Sequence, residues 1–111
     1  MVRAAVLILL VGGCSRELAA GSVDGATVFA AACATCHGEG GKPPEALRNQ
    51  LGVRDLTSPE FRARATPALI EHQVRDGADS KKMPAFKGSL TEAQIRAVAV
   101  FVMGLGAESP R

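Results

Sequence analysis

Tryptophan and tyrosine are absent from this chain of 111 residues, and phenylalanine occurs only four times. The large rings that ordinarily fill a small core are therefore scarce, and a domain of this length has little surplus burial to compensate. Something other than aromatic side chains has to occupy the middle. A surplus of one charge is also lacking: thirteen Lys and Arg against eleven Asp and Glu leave a net +2, with the signs interleaved. That balance gives no support to a nucleic-acid partner. No alternating apolar pattern of useful length occurs, which argues against strands. Cysteine, methionine and histidine are rare as well, with three, three and two copies, so any clustering among them carries weight.

The N-terminus, "MVRAAVLILLVGGC", opens with a positive end at Arg3 and runs apolar from Ala4 to Val11. That run is too short to span a bilayer. A charged start, a short apolar stretch and small residues at its end describe an export signal. The segment "VGGC" resembles a bacterial lipobox, in which cleavage falls before the cysteine and the cysteine receives lipid. The expected organisation is a lipoprotein signal peptide over 1–13, a lipidated tether over 14–23 beginning at Cys14, and a folded domain over 24–111. Simple cleavage near Ala20, or no cleavage, is the alternative, and the plain reading of Cys14 itself is a spare thiol in an exported protein. Export would oxidise Cys33 and Cys36 to a disulfide unless other chemistry claims them.

Helix signals punctuate the rest. Asp24 is a cap, and Ala26, Phe29, Ala30 and Cys33 share one helical face, with "GEGGKPP" ending the helix by Gly38. Residues 45–58 carry little pattern and predict at most one helical turn. Ser58-Pro59 and Thr66-Pro67 each open a short helix, the second with Leu69, Ile70 and Val74 apolar and Gly77 as its stop. "TEAQ" offers a capping box from Thr91 to Gln94, and Ile95, Val98, Val102 and Leu105 form a stripe, widened by Ala97 and Phe101, on the last helix. The chain reads as an all-α domain of three to five helices.

The chemistry concentrates in "ACATCHGEGG" from Ala32 to Gly41. Three chemistries use a Cys-x-x-Cys pair. Thiol–disulfide exchange wants its thiolate at a helix N-terminus within a βαβ setting, whereas this pair closes a helix, where the dipole raises a thiol pKa. Structural zinc wants four ligands, usually as separated pairs, and only Cys33, Cys36, His37 and a lone His72 are on offer beyond Cys14. Covalent haem matches without insertion: Cys33 and Cys36 add to the two vinyl groups, and His37, directly following, coordinates the iron.

The helix leading into "CATCHGEGG", the "DLTSPEF" segment, the "RDG" that closes a helix and "MPAFKGSLTEAQIRAVAVFV" together resemble a bacterial class I cytochrome c, over roughly Asp24 to Leu105. The resemblance implies one haem c, with Met83 as second axial ligand opposite His37. It implies that the first and last helices cross near-perpendicularly, and that the proximal histidine bonds a carbonyl near a loop proline, here Pro43 or Pro44. The Tyr or Trp that often meets the propionates is missing. The residues lend Met83 their own support: Met1 is the start, Met103 sits among apolar helix residues, and Met83 lies in a polar loop with no stripe to join. His72, between polar residues, reads as a solvent-facing helix position.

With His37 and Met83 both on iron, no coordination site is open. The reading is therefore a one-electron carrier and not an enzyme, lipid-anchored on the periplasmic side of a bacterial membrane and moving electrons between redox partner proteins. Lys81, Lys82 and Lys87 near Met83 would give a basic rim that steers an acidic partner, unless they are simply a solvated loop. The alternative is a haem-based ligand sensor or weak peroxidase in which Met83 is labile.

Overall fold

The computed structural model describes residues 18–106; the signal-like run, Cys14 and the last five residues lie outside them. Six α-helices follow one another: α1 (Gly25–Ala32), α2 (Ala34–His37), α3 (Glu45–Leu51), α4 (Pro59–Arg64), α5 (Pro67–Asp76) and α6 (Glu92–Gly104). A 3-10 turn, Leu18–Gly21, precedes them, and no strand occurs among the described residues. The fold is all-α. α1 and α2 form one path broken at Cys33, so five helical paths match the upper end of the expectation. None of these helices is long and apolar enough to cross a membrane.

The helix starts follow the local chemistry. The Asp24 carboxylate accepts from the Thr27 amide at 3.1 Å and its hydroxyl at 2.7 Å, satisfying amides that the first turn leaves free. Ser58 and Thr66 cap α4 and α5 in the same manner, each followed by proline. At α6 the capping box closes in both directions, Gln94 N donating to Thr91 Oγ1 and Thr91 N to Gln94 Oε1. α3 is longer than the single turn expected. It buries nothing, so it has no stripe to read, and rests on good helix formers and a left-handed Gly52 at its end.

α1 and α5 both pack on α6, which contributes Ile95, Val98, Ala99 and Val102 to the core. The buried member between Val98 and Val102 is Ala99, with Ala97 only half-buried. On α1 the buried residues are Val28 and Phe29, while Ala26 and Ala30 face solvent, contrary to the expected face. The reason is the approach of α6. A Cβ on Gly25 would collide with the Ala97 carbonyl oxygen and lie 2.9 Å from Phe101 Cβ, so only glycine lets the two helices come this close. The Phe29 and Phe101 rings then stack tilted at 5.1 Å, adding roughly 0.5–1.5 kcal/mol to their burial.

Two side chains tie the ends down. Arg62 of α4 donates to the Val102 carbonyl at 2.7 Å and to that of Met103, satisfying carbonyls that the end of α6 leaves free. Gln94, 1% exposed, donates through Nε2 to Leu18 O at 3.1 Å and Ser22 O at 3.0 Å. Leu18 and Ala19 pack against the core, so this part of the segment read as tether lies on the domain.

Candidate functional site

Cys33 ends α1 and starts α2, and its carbonyl accepts from both Cys36 N at 3.2 Å and His37 N at 2.9 Å. That single tight turn places two thiols and one imidazole along the same side of the chain. Gly38 ends α2 at φ 81°, where a Cβ would strike the Lys42 carbonyl. Beyond it, Gly41 N donates to Gly38 O at 3.0 Å, and Leu56 N donates to Gly41 O at 2.8 Å. This last bond lays the segment around 52–56 alongside the turn. Asp55 stiffens it by accepting from Thr57 N at 2.8 Å and Thr57 Oγ1 at 2.6 Å. Burial pushes the Asp55 carboxyl up, but these bonds and the charges of Lys42 and Arg48 outweigh it and hold the group below its ordinary value.

The consequence falls on His37. Its Nδ1 lies 3.0 Å from the main-chain carbonyl oxygen of Arg54, and a carbonyl only accepts, so Nδ1 carries the proton and Nε2 keeps its lone pair. Burial lowers the His37 pKa, against a smaller opposing effect of that bond, which keeps the ring neutral. A neutral ring with a fixed tautomer is what a ligand histidine requires. The acceptor is Arg54 and not a carbonyl at Pro43 or Pro44, because the Leu56–Gly41 bond sets the register of the later loop against the turn.

Burial and, secondarily, the neighbouring Cys36 push the Cys33 thiol up to about 11. That is the reverse of a redox-exchange thiol, and burial rather than the helix dipole is the main cause. No disulfide joins Cys33 and Cys36. Among the described residues no three His, Cys, Asp or Glu side chains gather as a metal site, so the zinc alternative finds no support there.

Cys33, Cys36, His37 and Met83 all line one cavity of about 680 Å³. Its walls are apolar, with Phe29, Leu56, Ile70, Val74, Phe86 and Val98 among them, and no buried side-chain N or O atom among the described residues lacks a partner. Met83 is half-buried against the core, in the loop that follows α5. That loop is fastened to α5 just after Met83, Phe86 N donating to Val74 O at 2.9 Å and Lys87 N to Arg75 O at 3.3 Å, and is closed on itself where Ala78 N donates to Met83 O at 3.0 Å. Met103 and His72 do not line the cavity; His72 points outward and pairs with Asp76 at 3.0 Å. Of the three lysines, only Lys82 reaches the cavity wall, joined there by Arg54 and Arg64. Nothing in the residue pattern marks those two arginines. Two thiols, an imidazole nitrogen and a thioether opening on a large apolar space fit a porphyrin attached through sulfur and ligated by N and S.

A helical fold closed around such a cavity defines a c-type cytochrome of class I. Residues 22–102 match the family model described as cytochrome c oxidase, cbb3-type, subunit III. Cytochrome c6 of Nostoc sp. strain PCC 7120 is 42% identical over 90 residues, covering 81% of this chain and 76% of that protein. The cbb3-type cytochrome c oxidase subunit CcoP of Cereibacter sphaeroides is 38% identical over 107 residues, covering 89% of this chain but only 32% of the subunit. Among solved structures, the KustC0563 c-type cytochrome superposes with a TM-score of 0.66 at 30% identity, covering 74% of this chain and 96% of that one. The chain belongs to the class I cytochrome c family, as a bacterial mono-haem electron-transfer protein. Its cofactor is one covalently bound haem c.

Proposed function

We propose that this protein is a lipid-anchored, periplasmic one-electron carrier with a closed iron site. Cys33 and Cys36 would hold the haem by thioether bonds, and His37 through Nε2 and Met83 through its sulfur would ligate its iron. When bound, the haem supplies reversible one-electron chemistry at iron. The chain's own residues keep water out with the apolar walls, fix the imidazole tautomer through Arg54, and present the thioether from a fastened loop. The observation that carries the reading is the convergence of all four donors on one cavity. The bonds from Phe86 and Lys87 to the end of α5 favour a held Met83 over the labile ligand that a sensor or peroxidase needs.

Likeness to cytochrome c6 and to an oxidase subunit supports partners that are themselves redox proteins, with no substrate turned over by this chain. Lys82, Arg54 and Arg64 at the cavity wall would favour an acidic partner surface. The anchor rests on the "VGGC" pattern that ends in Cys14. Two measurements test the proposal. Haem stain should stay on the polypeptide through denaturing electrophoresis and be lost in Cys33→Ser, Cys36→Ser. Cys14→Ser should move a haem-loaded protein from the membrane fraction to the soluble periplasm or leave it unprocessed; an unchanged processed membrane form contradicts the anchor.

A further inference from the structure

α5 stops at Gly77, a residue with φ 73° and ψ −174°, a combination that side-chain-bearing L residues scarcely adopt. The stop alone does not need it, since α4 ends on Ala65 in ordinary extended geometry. What Gly77 touches is more specific. A Cβ there would lie 2.7 Å from Met83 O, 2.8 Å from Ala85 N and 2.8 Å from the Pro84 carbonyl carbon. All three are main-chain atoms, which cannot swing aside as a side-chain tip can. The same turn of helix supplies the Val74 and Arg75 carbonyls that accept from Phe86 and Lys87. The end of α5 thus grips the backbone just after Met83, and Gly77 is the floor on which the Met83–Ala85 segment rests.

We infer that Gly77 is a positioning residue for the Met83 sulfur: its missing side chain sets how close the ligand loop comes to α5, and hence where the thioether sits in the cavity. This rests on the reading of Met83 as axial ligand. A Cβ at Gly77 lifts the loop from α5 and withdraws the sulfur, while the His37–Arg54 bond, made by other segments of the chain, stays in place.

The test compares three variants of the full, haem-loaded protein: Gly77→Ala, Met83→Ala and Gly25→Ala. Met83→Ala reports on the ligand reading by itself. If it keeps the ferric sulfur-to-iron charge-transfer band, that reading falls and the role of Gly77 with it. Gly25→Ala is the control for lost stability at the α1–α6 contact, and should melt earlier with the band intact. In Gly77→Ala the band should be lost at temperatures where the helices remain folded, with carbon monoxide uptake by the reduced protein faster by roughly tenfold or more, as the strain of a disallowed conformation is relieved by releasing the loop. A Gly77→Ala protein that keeps the band and excludes carbon monoxide until it unfolds, as Gly25→Ala does, overturns the inference. So does one that fails to fold where Met83→Ala folds, because Gly77 would then support the whole domain.

Discussion

The His37 ring donates from Nδ1 to the main-chain carbonyl of Arg54 at 3.0 Å, across seventeen positions of chain. Because the acceptor is main chain, the bond does not depend on the Arg54 side chain, which separately lines the cavity. Arg54→Ala should therefore leave a low-spin spectrum unchanged. Loss of a positive charge at the cavity wall should still stabilise the ferric form and lower the reduction potential. Redox titration of the variant checks both halves, and a high-spin spectrum would show that the loop itself had moved.

Gly25 sets how closely α1 and α6 approach. Adding one methyl group at this contact should cost on the order of 1–3 kcal/mol, the usual penalty for overpacking a tight site. Thermal unfolding of Gly25→Ala, followed by helix circular dichroism, measures it. A midpoint equal to wild type would mean that α6 shifts without cost.

Gln94 completes the cap of α6 and also partners Leu18 O and Ser22 O. Gln94→Leu retains the bulk but leaves those groups unpaired, at about 1–3 kcal/mol per buried group left without a partner. The expected signature is local as well as global: amide exchange and proteolysis at residues 18–23 should accelerate more than elsewhere in the domain.

Acid stability follows from carboxylates held below their ordinary values. The hydrogen bond and charge of Arg75 lower Glu92 from 4.5, and the Thr27 hydroxyl and amide lower Asp24 from 3.8. A depressed carboxylate contributes stability above its unfolded pKa, and that contribution disappears as pH falls through the folded value. Stability should hold from neutrality down to about pH 5 and decline below about pH 4.5. Glu92→Gln should make that decline shallower and lower the neutral-pH midpoint slightly, since the pair is exposed and modest. Melting curves across this range test the slope; an unchanged profile would remove Glu92 from the account.

What the sequence disclosed and what it withheld divide along contact range. Asp24, Ser58, Thr66 and Thr91 were readable as caps because each acts on the amide three residues away. The CxxCH turn was readable for the same reason. The face of α1 was not, since "GATVFAAA" is apolar or small nearly all round and only α6 decides that Val28 and Phe29 turn inward. The acceptor for His37 was misplaced because the Leu56–Gly41 bond that selects Arg54 leaves no local pattern. No local pattern marks Arg62, and only the end of α6 beside it gives it a task. The three lysines near Met83 looked alike, and the fold separates Lys82 from Lys81 and Lys87.

Binding of carbon monoxide to the reduced protein tests the closed iron site most directly. Wild type should bind it slowly or not at all, Met83→Ala should bind it rapidly and at a lower reduction potential, and Met103→Ala and His72→Ala, whose side chains do not line the cavity, should behave as wild type. Rapid uptake by wild type, with no further gain in Met83→Ala, would contradict a held thioether ligand and make the protein a ligand-responsive haem protein instead of an electron carrier.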